Sequence, residues 1–125
     1  MTSARPRALS VIVGAAWRPI QGEIVSGDTH AVLPWSSGVL VAVIDGLGHG
    51  PRAASASAIV AETVKAHADA PLESLFFEVH RAALGSRGAV AAVARVDEHE
   101  ATLEVAGLGN IGVLVEHHAS SRSVH

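Results

Sequence analysis

The sequence contains no cysteine. Disulfides, thiolate zinc sites, iron–sulfur clusters and a cysteine nucleophile are therefore excluded together, and a reducing, cytoplasmic setting is expected. Aromatic residues make up only 3% of the chain, so a buried core has to be aliphatic. Basic charge is sparse as well. Lys65 is the single lysine, no run of Lys or Arg occurs, and 9 basic against 12 acidic side chains leave a net charge of −3. Such a surface has no electrostatic footprint for a nucleic-acid backbone or an anionic membrane. No apolar run approaches the roughly 20 residues that cross a bilayer. The phosphate-cradling G-x-x-x-x-G-K-[ST], the metalloprotease H-E-x-x-H and the G-x-S-x-G nucleophile elbow are all missing, which leaves those three chemistries without support.

What remains is 49% apolar residues over 125 positions, enough for one small globular domain, 1–125, and too little for two. Arg5 and Arg7 ahead of a short apolar stretch imitate a secretory signal weakly. The β-branched Val11, Ile12 and Val13 instead predict a first strand, ended by Trp17-Arg18-Pro19. Ile24 to Trp35 and Val39 to Ile44 read as a hairpin across Pro34-Trp35-Ser36-Ser37-Gly38. Because Val39 to Ile44 is apolar without alternation, it is expected to be a central strand covered on both faces.

Pro51 can open a helix that continues over Ala53 to His67, whose small residues Ala53 to Ala58 permit close approach to a sheet. A second helix is expected from Pro71 to Leu84, with Leu72, Leu75, Phe76, Val79 and Ala83 on one face and Gly85 past its end. Strands follow at Ala89 to Val96, Ala101 to Ala106 and Ile111 to Glu116, and residues 116–125 are expected to be a loose tail or a truncation point. This order, with hairpin connections, predicts an α+β fold built on a mainly antiparallel sheet with helices packed on it.

Two acids stand out. Asp45 ends the most apolar strand and runs into Gly46-Leu47-Gly48-His49-Gly50, while Asp28 follows Gly27 in the hairpin partner. Antiparallel pairing could set them side by side, where their repulsion is relieved by a hard divalent cation such as Mg²⁺ or Mn²⁺. Each of Gly27-Asp28 and Asp45-Gly46 is also an ordinary turn dipeptide. His49, inside the glycine loop, could orient a water or protonate a leaving group, or simply lie on the loop surface. Gly46 and Gly48 also match the start of a dinucleotide-binding G-x-G-x-x-G, but Pro51 takes the third glycine position, which weakens that reading. His30, His67, His80 and His99 have no ligand spacing, whereas His117, His118 and His125 belong to the tail.

Gly27-Asp28, Val41 to Gly50 with the Ala/Ser-rich helix start behind it, Arg87 to Asp97, and Ala106-Gly107-Leu108-Gly109-Asn110-Ile111 together resemble the SpoIIE-type metal-dependent Ser/Thr protein phosphatases, most of all their stressosome members. The resemblance runs from about Gly22 to Val115. It implies a protein phosphatase 2C-like α-β-β-α sandwich holding two Mn²⁺ or Mg²⁺ ions. Asp28 and Asp45 would be metal ligands in the catalytic set and Gly46 a backbone-carbonyl ligand; His49 joins the catalytic candidates by its place in the glycine loop rather than by the resemblance. In-line attack of an activated water on phosphoserine or phosphothreonine is implied, with phosphorylated STAS-domain regulators of sigma-factor or stress signalling as partners. Family members supply further aspartates from later strands, whereas this chain has only Asp69 and Asp97 besides, in positions that do not fit. The domain is therefore expected to be incomplete at its C-terminal end. A non-catalytic interaction module binding the same regulators is the alternative function, and a dinucleotide-binding domain the outsider.

Overall fold

The computed structural model describes residues 9–19, 21–22, 24–117 and 120–124, the last five through their backbone. Arg5, Arg7, His118 and His125 lie outside the described residues or side chains. Strand β1 (Asp28–Trp35) and strand β2 (Gly38–Gly46) form the expected hairpin. Helices α1 (Gly50–Ala66) and α2 (Leu72–Ala83) follow, then strands β3 (Ala89–Asp97), β4 (Thr102–Leu108), β5 (Val113–His117) and β6 (Ser120–Val124). The main sheet has the order β1-β2-β3-β4 and is antiparallel throughout, and β5 pairs with β6 in a separate two-stranded sheet.

The helical pair is thus inserted between two neighbouring antiparallel strands, β2 and β3, and packs on one face of the sheet. Leu40, Ala42 and Ile44 of β2 and Ala91 and Val93 of β3 point at Val60 and Val64 of α1 and Leu75 and Val79 of α2, all of them buried. Burying each large aliphatic side chain here stabilises the fold by about 1.5–3 kcal/mol. An aromatic-poor core is the outcome that composition required.

Trp35 pairs with Gly38, so the hairpin turn is only Ser36 and Ser37. Pro34 and Trp35, expected in the turn, belong to β1 instead, where an edge strand tolerates the missing proline N–H. The turn lacks the usual Asn-Gly chemistry. It is held from outside: Asp69, in the α1–α2 connection, accepts hydrogen bonds from the Ser36 backbone N–H at 2.9 Å and the Ser36 hydroxyl at 2.7 Å. Arg95 ties the same connection to the sheet. It is 6% exposed, donates to the backbone carbonyls of Ala68 (3.3 Å) and Ala70, reaches Glu104 at 3.1 Å and lies over the Trp35 ring at 4.9 Å.

Three expectations are corrected. Residues 9–19 form no strand. Leu9 donates a backbone hydrogen bond to Glu98 (3.1 Å), Trp17 meets the His30 ring at 4.8 Å, and Val13 to Trp17 wall a cavity with Val41 and Val43. The segment crosses the sheet's helix-free face, where β-branched residues can pack without joining a ladder. Second, β2 is central but covered by helices on one face only: Val43 is 47% exposed. The unbroken apolar run reflects two apolar faces, Leu40-Ala42-Ile44 toward the helices and Val39-Val41-Val43 away from them. Third, the C-terminal segment is not a loose tail, because Ser120–Val124 pairs with β5. Its polar sequence carries no periodic signal, and the pairing is made by backbone groups.

The bonds from Ser36 hold the Asp69 carboxyl below its ordinary value of 3.8, so its contribution is present above that pH and is lost as pH falls through the lowered value. Asp69→Asn should unfold at lower denaturant than the wild type at neutral pH and coincide with it in strong acid. In the β3–β4 turn, Ala101 has a left-handed φ of +55°, which costs an alanine about 1 kcal/mol, and Ala101→Gly should raise the denaturation midpoint accordingly.

Candidate active site

The hairpin register sets Asp28 opposite Asp45, and the alternation of side chains puts both on the sheet face that the helices leave uncovered. The ladder continues one step further, since the Gly46 N–H donates to the Gly27 carbonyl at 2.9 Å, and on the other side the Leu47 N–H donates to Gly88 at 2.9 Å. The glycine loop is therefore anchored to the chain on both flanks before it enters α1. Ser26, two residues before β1, receives the Asp28 N–H on its hydroxyl at 3.1 Å.

Helix α1 can stand directly behind this strand end because the contact residues are the smallest available. A β-carbon at Gly27 would lie 2.8 Å from that of Ala53, and one at Gly46 would collide with the Ala53 carbonyl. Gly46 is buried, and its backbone is all it can offer a ligand. Gly48 and Gly50 take left-handed φ values of +86° and +73°, conformations natural to glycine. His49 lies between them as the extended N-cap of α1.

Asp28, Asp45, Gly48 and His49 share the wall of one cavity of about 750 Å³, together with Arg18, Gln21 and Ser26. The Asp45 carboxyl is pushed above its ordinary value of 3.8 by burial, by its hydrogen bond with Asp28 and by the charge of Asp28. Two carboxyl groups this close either share a proton or require a cation between them. As donors they are hard oxygens and fit a Mg²⁺ or Mn²⁺ ion. Among the described residues no third His, Asp, Glu or Cys joins them in a metal-holding group, so the pair alone would supply only part of a coordination shell.

Asp69 and Asp97, which do not fit the family pattern, occupy the other end of the sheet. Asp69 holds the Ser36 turn, and Asp97 pairs with Gly38 and accepts the backbone N–H groups of His99 and Glu100 at 3.0 and 2.9 Å. Sequence reasoning misses Arg18, Gln21 and Ser26. They reach the cavity through an irregular segment that has no periodicity to read. The dinucleotide-binding alternative is contradicted by topology: the strand after the helices is antiparallel β3, whereas that motif needs a parallel crossover. No helix among the described residues is long and apolar enough to cross a membrane.

No family model matches the chain. Phosphoserine phosphatase RsbX of Bacillus subtilis (strain 168) is 26% identical over 105 residues, covering 84% of this chain and 52% of RsbX. A structure described as the bacterial stressosome, a modular system adapted to control secondary messenger signalling, contains a chain 35% identical to this one. The two superpose with a TM-score of 0.83 over 86% of this chain and 56% of that one. The crystal structure of RsbX in complex with magnesium gives a TM-score of 0.78 at 24% identity, over 86% of this chain and 55% of RsbX. The PP2C phosphatase domain of SpoIIE from Bacillus subtilis gives 0.76 at 20% identity, over 95% of this chain and 37% of that one. The chain spans about half the length of the RsbX relative it matches. The antiparallel sheet with its helical layer is accordingly similar to part of the PP2C-like α+β fold, and the chain is similar in sequence to about half of RsbX.

Proposed function

We propose that this chain forms part of a cytoplasmic Mn²⁺- or Mg²⁺-dependent protein phosphatase that hydrolyses phosphoserine or phosphothreonine on a STAS-domain regulator of sigma-factor or stress signalling. The observation that carries the reading is the pairing of Asp28 with Asp45 at the wall of an open cavity. Similarity to phosphoserine phosphatase RsbX supports it. The carboxylates of Asp28 and Asp45, with the backbone carbonyl of Gly46, would hold the cation. When bound, a divalent ion neutralises phosphoryl charge and acidifies water. His49, on the same wall, would orient the attacking water or give a proton to the departing serine oxygen. The cavity's volume of about 750 Å³ is within the range of small-molecule sites and is ample for a phosphorylated side chain.

One observation favours a second reading, a non-catalytic interaction module that binds the same regulators: the acidic pair has no third metal-holding residue among the described ones. The two readings part on the same variants. Asp28→Ala and Asp45→Ala should each lower manganese-dependent phosphate release from a phosphoserine peptide by on the order of a hundredfold or more, since even outer-shell partners of a metal matter about 10–100-fold. Equal rates in wild type and both variants, or no metal-dependent release at all, would reject the phosphatase.

Stability supplies an independent check. The raised Asp45 value means that the folded chain binds its proton more tightly than the unfolded chain, so the pair weakens folding as pH rises above 3.8. In chelator at neutral pH, Asp45→Asn should therefore melt at a higher temperature than wild type, and the gain should vanish below that pH.

A further inference from the structure

A further cavity, of about 670 Å³, lies between the start of α1 and the segment after α2. Its walls are Arg52 and Ser55 from the first turns of α1, Ile59 one turn further along, and Leu84, Ser86 and Arg87 from the segment after α2. Both arginines are exposed, and no carboxylate of the described residues lines this groove. Neither arginine is in an ion pair among the described residues. The first turn of α1 carries no acidic residue, so the positive end of a 17-residue helix adds to the two guanidinium groups rather than being offset. On a chain of net charge −3, this is a local inversion of sign. Ile59 and Leu84, 38% and 66% exposed, give the groove an apolar flank.

The groove and the acidic cavity share a partition. Arg87 Nη1 lies 2.9 Å from where a β-carbon on Gly48 would stand, and Gly48 is itself a wall residue of the cavity that contains Asp28 and Asp45. A chain whose phosphoserine enters that cavity can therefore continue over Gly48 into the groove, where guanidinium forks match carboxylates in geometry and charge.

We propose that the groove between the start of α1 and the 84–88 segment binds an acidic stretch of the target protein flanking its phosphorylated residue. The word target rests on the phosphatase reading; the binding of an acidic peptide does not. The test uses a fluorescein-labelled peptide rich in Asp and Glu, carrying no phosphate, against its Asn/Gln counterpart, in chelator, by fluorescence anisotropy. The acidic peptide should bind and the amide peptide should not, with affinity falling as salt is raised. Arg52→Ser with Arg87→Ser should weaken binding by about tenfold, the scale of two exposed charge pairs, while Arg52→Lys with Arg87→Lys should recover much of it. Both side chains are on the surface, and circular dichroism is the check that the variants are folded. Equal binding of the two peptides, or full affinity in the double serine variant, would overturn the proposal. Acidic-peptide binding in a protein that never releases phosphate would support the groove and reject the phosphatase alone.

Discussion

The arrangement depends on the antiparallel register between β1 and β2. A two-residue connection at Ser36-Ser37 fixes that register at one end of the hairpin, and it propagates without a bulge until Asp28 faces Asp45 at the other. Because side chains alternate along a strand, a slip of one residue would turn one carboxylate toward the helices and leave the other outside. The turn has no residue type that enforces its own geometry. Its support comes from Asp69, and the connection that carries Asp69 is bound in turn by Arg95. Contacts at one end of the sheet thus help fix which residues face each other at the other.

At the acidic end the limiting factor is space. The strand must finish, reverse and enter α1 within a few residues, with the helix close behind the carboxylate pair. Gly27, Gly46 and Ala53 make that possible by contributing almost no side-chain volume, and the hydrogen bonds from Gly46 and Leu47 to the two flanking segments hold the loop without help from side chains. The sheet's second face remains largely apolar, with Val32 and Val43 each more than two-fifths exposed, and the N-terminal segment crosses part of it. The relatives are roughly one and a half times as long.

Fold and site are legible in the sequence wherever a local signal exists. Both helices carry periodic patterns, the hairpin and later strands show as apolar runs bounded by turn residues, and counting residues outward from the hairpin turn is enough to bring Asp28 near Asp45. What is not legible arises between segments distant in sequence. Arg95 and Asp69 have structural roles only because the α1–α2 connection returns to the hairpin turn. Arg52 and Arg87 meet because two helices separate them by a length that brings the chain back. The N-terminal segment misleads because β-branched residues suit any flat apolar surface, and β6 escapes notice because its Ser-rich sequence forms backbone pairs without an apolar face.

In the proposed reading, two carboxylates on neighbouring strands, held together against their own repulsion, act as one receptor for a hard cation. Electron paramagnetic resonance of Mn²⁺ titrated into the protein measures this directly, because the free ion's signal falls as the ion is bound. Saturable loss of signal in the wild type, abolished to a similar degree by Asp28→Asn and by Asp45→Asn, is the predicted result. Binding that survives either substitution intact would show that the two side chains do not share an ion, and would contradict the metal-centred reading of the site.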